Sequence, residues 1–240
     1  NEISSFPTEI KMLKGNSILL KRNQMSEINC SIIPISKVLS SNITVIDISF
    51  NQISTIPKEI FEELPNLHTF YAFFNNITSI PSEIINCKAL YTIGISYNPI
   101  KKFPKLPNSL DRIIAANCQI DSFDLDLFAD TNNLFLTSVD LSGNNLESFP
   151  SFTSLQILNL SHNKLKKLPS ITENLRILDV SMNSIESDND SMPQIISGES
   201  ITELNLSYNK LTKLPEFKKV PLLQTLEFSG NSIQGTFDAS

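Results

Sequence analysis

The spacing of apolar residues constrains this chain more than any other feature. Residues 155–165 read L-Q-I-L-N-L-S-H-N-K-L, placing Leu155, Leu158, Leu160, Asn163 and Leu165 at the steps L-x-x-L-x-L-x-x-N-x-L. The same frame fits Leu136, Val139, Leu141, Asn144, Leu146, then Leu175, Leu178, Val180, Asn183, Ile185, and again Ile201, Leu204, Leu206, Asn209, Leu211. With Phe228 as an aromatic variant it fits Leu223, Leu226, Asn231 and Ile233. Upstream it fits Ile43, Ile46, Ile48, Asn51, Ile53; Leu67, Phe70, Ala72, Asn75, Ile77; and Leu90, Ile93, Ile95, Asn98, Ile100. A weaker first copy holds Ile18, Leu20, Asn23 and Met25, with Gly15 in the leading slot. Another, at Leu110, Ile113, Ala115 and Ile120, fits only if Cys118 takes the asparagine slot. Self-similarity at a fixed period of 20–50 residues signals a stacked repeat architecture.

The polar amide has a physical reason. Alternation places the two middle apolar side chains of each copy on one face of a strand. The chain must then turn inside the coil, where backbone groups lose water and need partners. An asparagine side chain offers two donors and an acceptor in a small volume. Since one copy cannot bury its own apolar face, neighbours must stack into a continuous core.

Ten copies with this motif resemble the leucine-rich-repeat family, and cysteine is an accepted alternative in the asparagine slot. The resemblance implies an α/β solenoid, a horseshoe of intracellular type, whose strands line a concave parallel sheet while its asparagines stack from coil to coil. At roughly 4.8 Å per strand the ten copies would give an inner arc of about 45 Å. Residues 1–240 are expected to form a single repeat domain. The chain stops at Gly235–Ser240 without an obvious polar cap, which points to a fragment of a longer protein.

The convex side should vary with repeat length. Segments 57–64 and 81–86 begin with proline and continue with acids, which suits the first turn of short helices. The brief copies F-P-K-L-P-N-S-L and F-P-S-F-T-S-L leave room only for extended or 3₁₀ backbone. Segments 26–42 and 186–200 are longer excursions. The acidic run 186–191 lacks the glycine and terminal glutamate of an EF-hand calcium loop.

Catalysis finds little support. His68 and His162 are the only histidines, and neither has a cysteine at metal-ligand spacing. Ser161-His162, with Asp140 and Asp179 on neighbouring repeats, invites a triad reading. Yet Ser161 fills a slot that is serine at 49, 96, 142, 181, 207 and 229 as well, so it is a member of the pattern. There is no G-x-x-x-x-G-K phosphate loop. No catalytic residue, cofactor or metal ligand is assigned.

Residues between and after the inward leucines point away from the core. Between them stand Leu19, Asp47, Tyr71, Gly94, Ile114, Asp140, Asn159, Asp179, Asn205 and Glu227. Just before the asparagine slot stand Arg22, Phe50, Phe74, Tyr97, Asn117, Gly143, His162, Met182, Tyr208 and Gly230. Rings therefore gather in the first half of the face, where Phe73 joins Phe50, Tyr71, Phe74 and Tyr97, with Ile114 beside them. An exposed aromatic patch rimmed by polar groups marks a partner site. The acidic row Asp140, Asp179 and Glu227 suits either the steering of a basic partner or a solvated surface.

A net charge of −6 excludes the basic footprint of a nucleic-acid binder. No apolar run approaches the roughly 18 residues of a membrane span. Cys30, Cys87 and Cys118 are odd in number and far apart, fitting a reducing, cytoplasmic compartment better than a disulfide framework. The N-x-S/T sites at Asn159 and Asn205 arise from the repeat itself, whereas those at Asn42 and Asn76 do not. The expected function is protein binding on the concave face in intracellular signalling. T-I-P-K-E-I-F-E-E-L-P-N-L and S-I-P-S-E-I-I-N-C-K-A-L resemble repeats that engage small GTPases or signalling phosphatases. F-P-K-L-P-N-S-L-D-R-I also resembles those of bacterial effectors. Two alternatives stand beside this. One is a regulatory segment of a larger enzyme, such as a metal-dependent serine/threonine protein phosphatase or a kinase, whose catalytic domain would itself be the partner. The other is a receptor ectodomain.

Overall fold

The computed structural model describes residues 3–4, 15–28, 42–128, 135–187, 195–196 and 198–234. The chain divides into two compact units, Asn1–Leu136 and Thr137–Ser240.

In the first unit every repeat contributes one three-residue strand. These are β1 (Ser17–Leu19), β2 (Val45–Asp47), β3 (Thr69–Tyr71), β4 (Thr92–Gly94) and β5 (Arg112–Ile114). They pair in parallel and in chain order, with the apolar centres in register: Ile18 beside Ile46, then Phe70, Ile93 and Ile113. Each centre is buried, as is the residue two places on: Leu20, Ile48, Ala72, Ile95 and Ala115. Burying one such side chain stabilises by about 1.5–3 kcal/mol, so the sum over coils holds the unit together.

The second unit repeats the plan with β6 (Ser138–Asp140), β7 (Ile157–Asn159), β8 (Ile177–Asp179), β9 (Ile195–Ile196), β10 (Glu203–Asn205), β11 (Glu216–Phe217) and β12 (Thr225–Glu227). The main sheet runs β6-β7-β8-β10-β12, all parallel, and β9 pairs with β11 on its own. The solenoid expected from the spacing is the observed fold.

The asparagine ladder is explicit. Asn98 Nδ2 donates to the carbonyls of Ala72 in the preceding coil (2.8 Å) and Ile95 in its own (2.9 Å), while its Oδ1 accepts from Ile77 N (3.0 Å). Asn163 does the same with Leu141, Leu160 and Leu146 N. Cys118 replaces this only in part. Its thiol reaches the Ile95 carbonyl at 3.4 Å and that of Ala116 at 3.6 Å. Having no amide oxygen to offer, it leaves Ile100 N to bond the Asn98 main-chain carbonyl at 2.8 Å.

Behind the first sheet, the segment after Pro57 forms α1 (Glu59–Glu63), which buries Ile60 and Phe61. The Phe61 ring meets Phe70 edge-on at 5.3 Å. The segment after Pro81 is instead a 3₁₀ turn, Ser82–Asn86. The two brief copies are extended with a single turn, as their length requires. The acidic run after Glu186 and Ser187 lies outside the described residues, as does Cys30.

Candidate protein-binding face

Every coil turns off its strand through one residue with positive φ. In the first unit these are Arg22 (58°), Phe50 (58°), Phe74 (52°), Tyr97 (60°) and Asn117 (51°). The turn is enforced by hydrogen bonds to the next coil: Phe50 N to Phe73 O at 2.7 Å, Phe74 N to Ser96 O at 3.0 Å, and Tyr97 N to Ala116 O at 2.9 Å. Glycine and asparagine enter this region most cheaply, whereas a bulky side chain costs about 1–2 kcal/mol there. Three consecutive aromatic rings at such positions are therefore held against backbone preference.

The three rings stack. Phe50 and Phe74 have centroids 4.5 Å apart at 20°, and Phe74 and Tyr97 4.0 Å apart at 9°. The Arg22 guanidinium lies over Phe50 at 5.4 Å, with the Lys21 ammonium at 5.3 Å. Phe74 is 42% exposed and Tyr97 47%, so the ring edges form a ridge in solvent.

Tyr71 and Phe73 behave differently from the rest of the row. Their rings stack on each other at 5.2 Å and are only half-exposed. They lie over Gly94, where an added Cβ would meet the Phe73 ring at 2.3 Å and that of Tyr71 at 2.7 Å. Ile114, one strand further, is half-buried.

The frame overlooks a second aromatic pair. His68 and Tyr91 stack at 5.0 Å on the residues just before β3 and β4, and Tyr91 is exposed. A hydrogen bond to Asp111, followed by burial and the Asp111 charge, pushes the Tyr91 phenol above its ordinary pKa. These residues precede the strand slots, so a frame that begins with the strand passes over them.

In the second unit two of the three acidic residues have structural work within their coils. Asp140 Oδ1 accepts from Ser142 N (3.0 Å) and Ser142 Oγ (2.7 Å), and Asp179 Oδ1 accepts from Ser181 N (2.9 Å). Glu227 is exposed. Apolar side chains also reach solvent here, at Ile157, Met182 and Tyr208. Tyr208 lies on Gly230 as the first unit's rings lie on Gly94. Ser161 Oγ donates to Asn159 Oδ1 at 2.8 Å, so the hydroxyl is part of its turn and faces no catalytic base. Burial pushes the Cys87 and Cys118 thiols up to about 11, which keeps both protonated near neutral pH. Among the described residues no group of three or more His, Cys, Asp or Glu could hold a metal ion, and no helix is long and apolar enough to cross a membrane.

Known proteins share the pattern. A model of the leucine rich repeat matches residues 173–233, and a second matches 42–64, 135–155 and 154–175. Human oligodendrocyte-myelin glycoprotein is 32% identical over 160 residues, covering 64% of this chain, and the chain spans only 35% of that protein's length. Fibromodulin of Sus scrofa is 30% identical over 136 residues, which cover 54% of this chain and 92% of the matched sequence. Among solved structures, the leucine-rich repeat domain of APL1B superposes with a TM-score of 0.78 at 22% identity, covering 97% of this chain and 67% of that one.

Proposed function

We propose that this chain, which belongs to the leucine-rich-repeat family, holds a protein ligand on the strand face of its first unit and does so in intracellular signalling. The fold supports a protein–protein interaction module; the finer reading rests on the ring ridge. The observation that carries it is the stack Phe50–Phe74–Tyr97, with Phe74 and Tyr97 exposed, kept at positions where glycine or asparagine would cost less. Side chains held against backbone preference and exposed to water have a use other than folding. Tyr71 and Phe73, pressed over Gly94, give the ridge an apolar floor.

A cytoplasmic setting is supported by the two thiols built into the fold, one in the core at Cys87 and one in the ladder at Cys118, neither placed in a disulfide. A small GTPase, or a phosphatase or kinase domain of the same protein, would suit such a module. The second reading, a receptor ectodomain, is favoured by the relative named as a glycoprotein and by the exposed side chains of Asn42 and Asn76 within N-x-T sites.

Two measurements decide. A tagged pull-down from the source organism's lysate should recover a partner that a folded Tyr71→Ala, Phe74→Ala, Tyr97→Ala variant loses. Identical recovered sets would move binding off the ridge. The natural protein should fractionate with the cytosol and carry no glycan; sugar on Asn42 or Asn76 would replace the cytoplasmic reading with the ectodomain.

A further inference from the structure

The ridge is closed at one end and open at the other. At the β1 end, the guanidinium of Arg22 and the ammonium of Lys21 cover the outer face of Phe50. Phe74 is covered on both faces by its neighbours. Tyr97 stacks on one ring, Phe74, and is 47% exposed. The next coil places Asn117 in the same slot, at the same positive φ and exposed. Among the described residues, no ring or cation lies on the far face of Tyr97 and no hydrogen bond engages the Asn117 side chain. An asparagine is shorter than a tyrosine, so the ridge ends in a step. The exposed Tyr97 ring ends the row, and the exposed Asn117 amide, one acceptor and two donors, follows it in the same slot of the next coil.

The chemistry of that step selects its occupant. An aromatic face carries the negative part of the ring quadrupole and attracts cations, while repelling carboxylates and phosphates. A planar cation that offers N–H can lie flat on the Tyr97 ring and donate to the Asn117 amide oxygen as well. A guanidinium satisfies both demands, and a lysine ammonium only the charge. The molecule already uses this recognition at its other end, where Arg22 covers Phe50. We infer that the step formed by Tyr97 and Asn117 is the seat of an arginine side chain of the protein ligand, stacked on the ring and donating to Asn117 Oδ1. This rests on the ligand-binding reading above and names the anchor through which the ligand is held.

The test uses ¹⁵N-labelled chain titrated at millimolar concentration with acetyl-Gly-Gly-Arg-Gly-Gly-amide. The control peptide carries citrulline, which has the same shape without the charge. The arginine peptide should shift the amide signals of Tyr97 and Asn117 at least about threefold more than the citrulline peptide does, as a cation–π contact demands. A Tyr97→Asn variant, which keeps a residue at ease with the turn, should abolish the shifts while leaving the remaining spectrum in place. Equal shifts from both peptides, or shifts that survive in Tyr97→Asn, overturn the assignment. So does a uridine oligonucleotide that moves these signals more than the arginine peptide. If the triple variant loses its lysate partner while the arginine peptide moves nothing, protein binding on the ridge stands and the arginine seat falls.

Discussion

Phe74 is held by its coil at a φ of 52°, where its ring raises the backbone energy by about 1–2 kcal/mol. Its stacking on Phe50 and Tyr97 returns about 0.5–1.5 kcal/mol per pair beyond the buried area. The two pairs together return about 1–3 kcal/mol against that cost, so Phe74→Asn should lower unfolding stability by no more than about 2 kcal/mol. Phe70→Ala, four residues earlier at the centre of β3 and fully buried against Phe61, should cost about 3–5 kcal/mol. Urea denaturation of the two variants separates an aromatic kept for binding from one kept for packing; a loss at Phe74 as large as at Phe70 would make the ridge part of the core. Alternation along the strand put every ring of the row on one face and could say no more. Whether a ring stands or lies depends on its neighbour across the sheet. Gly94 lets Tyr71 and Phe73 lie down, and nothing comparable sits beside Phe74 or Tyr97. The same limit hid the tie between Asp140 and Ser142, a hydrogen bond that spacing permits but does not reveal.

At the scale of one coil, strands and ladder were legible because each rests on residues at fixed steps. The back of the coil was legible only in outline. Pro57 and Pro81 both suggest a short helix, yet the first segment is α-helical and the second 3₁₀. The ladder asparagines enclosing them, Asn51, Asn75 and Asn98, are 24 and then 23 residues apart. A 3₁₀ helix rises about 2.0 Å per residue against about 1.5 Å, so the shorter coil spans a similar gap with tighter winding. The strand side tolerates no such freedom. Leu160→Asp would bury a carboxylate with no partner in the apolar row beside β7, costing about 4 kcal/mol or more and unfolding neighbouring coils. Ile157→Asp, exposed on the same coil, should stay within about 0.5 kcal/mol. Circular dichroism melts of the pair check this, and equal melting temperatures would refute the assigned frame.

For the whole molecule, the two thiols set a limit at alkaline pH. Both ionise in the folded chain only at about 11, since burial disfavours the thiolate. In the unfolded chain they ionise near the ordinary value of about 8.5. Between those values the unfolded state sheds protons that the folded state keeps, so stability falls as pH rises through that window and is unaffected by these groups below it. The parent's melting temperature should therefore drop more steeply from about pH 8.5 to 11 than that of a Cys87→Ala, Cys118→Asn variant, measured by calorimetry at constant ionic strength. Parallel curves would show that burial does not hold the thiols protonated. The ladder carries a different consequence, one of time. Asn51, Asn75, Asn98, Asn163, Asn183, Asn209 and Asn231 each bond the backbone of their own coil and the one before it. Their amide oxygens likewise accept from the coil before. These bonds ask for nothing not yet synthesised. Chains leave the ribosome amino end first, so each ladder asparagine can tie its coil to the one before as it emerges, while the main-chain bonds of its turn wait for the coil that follows.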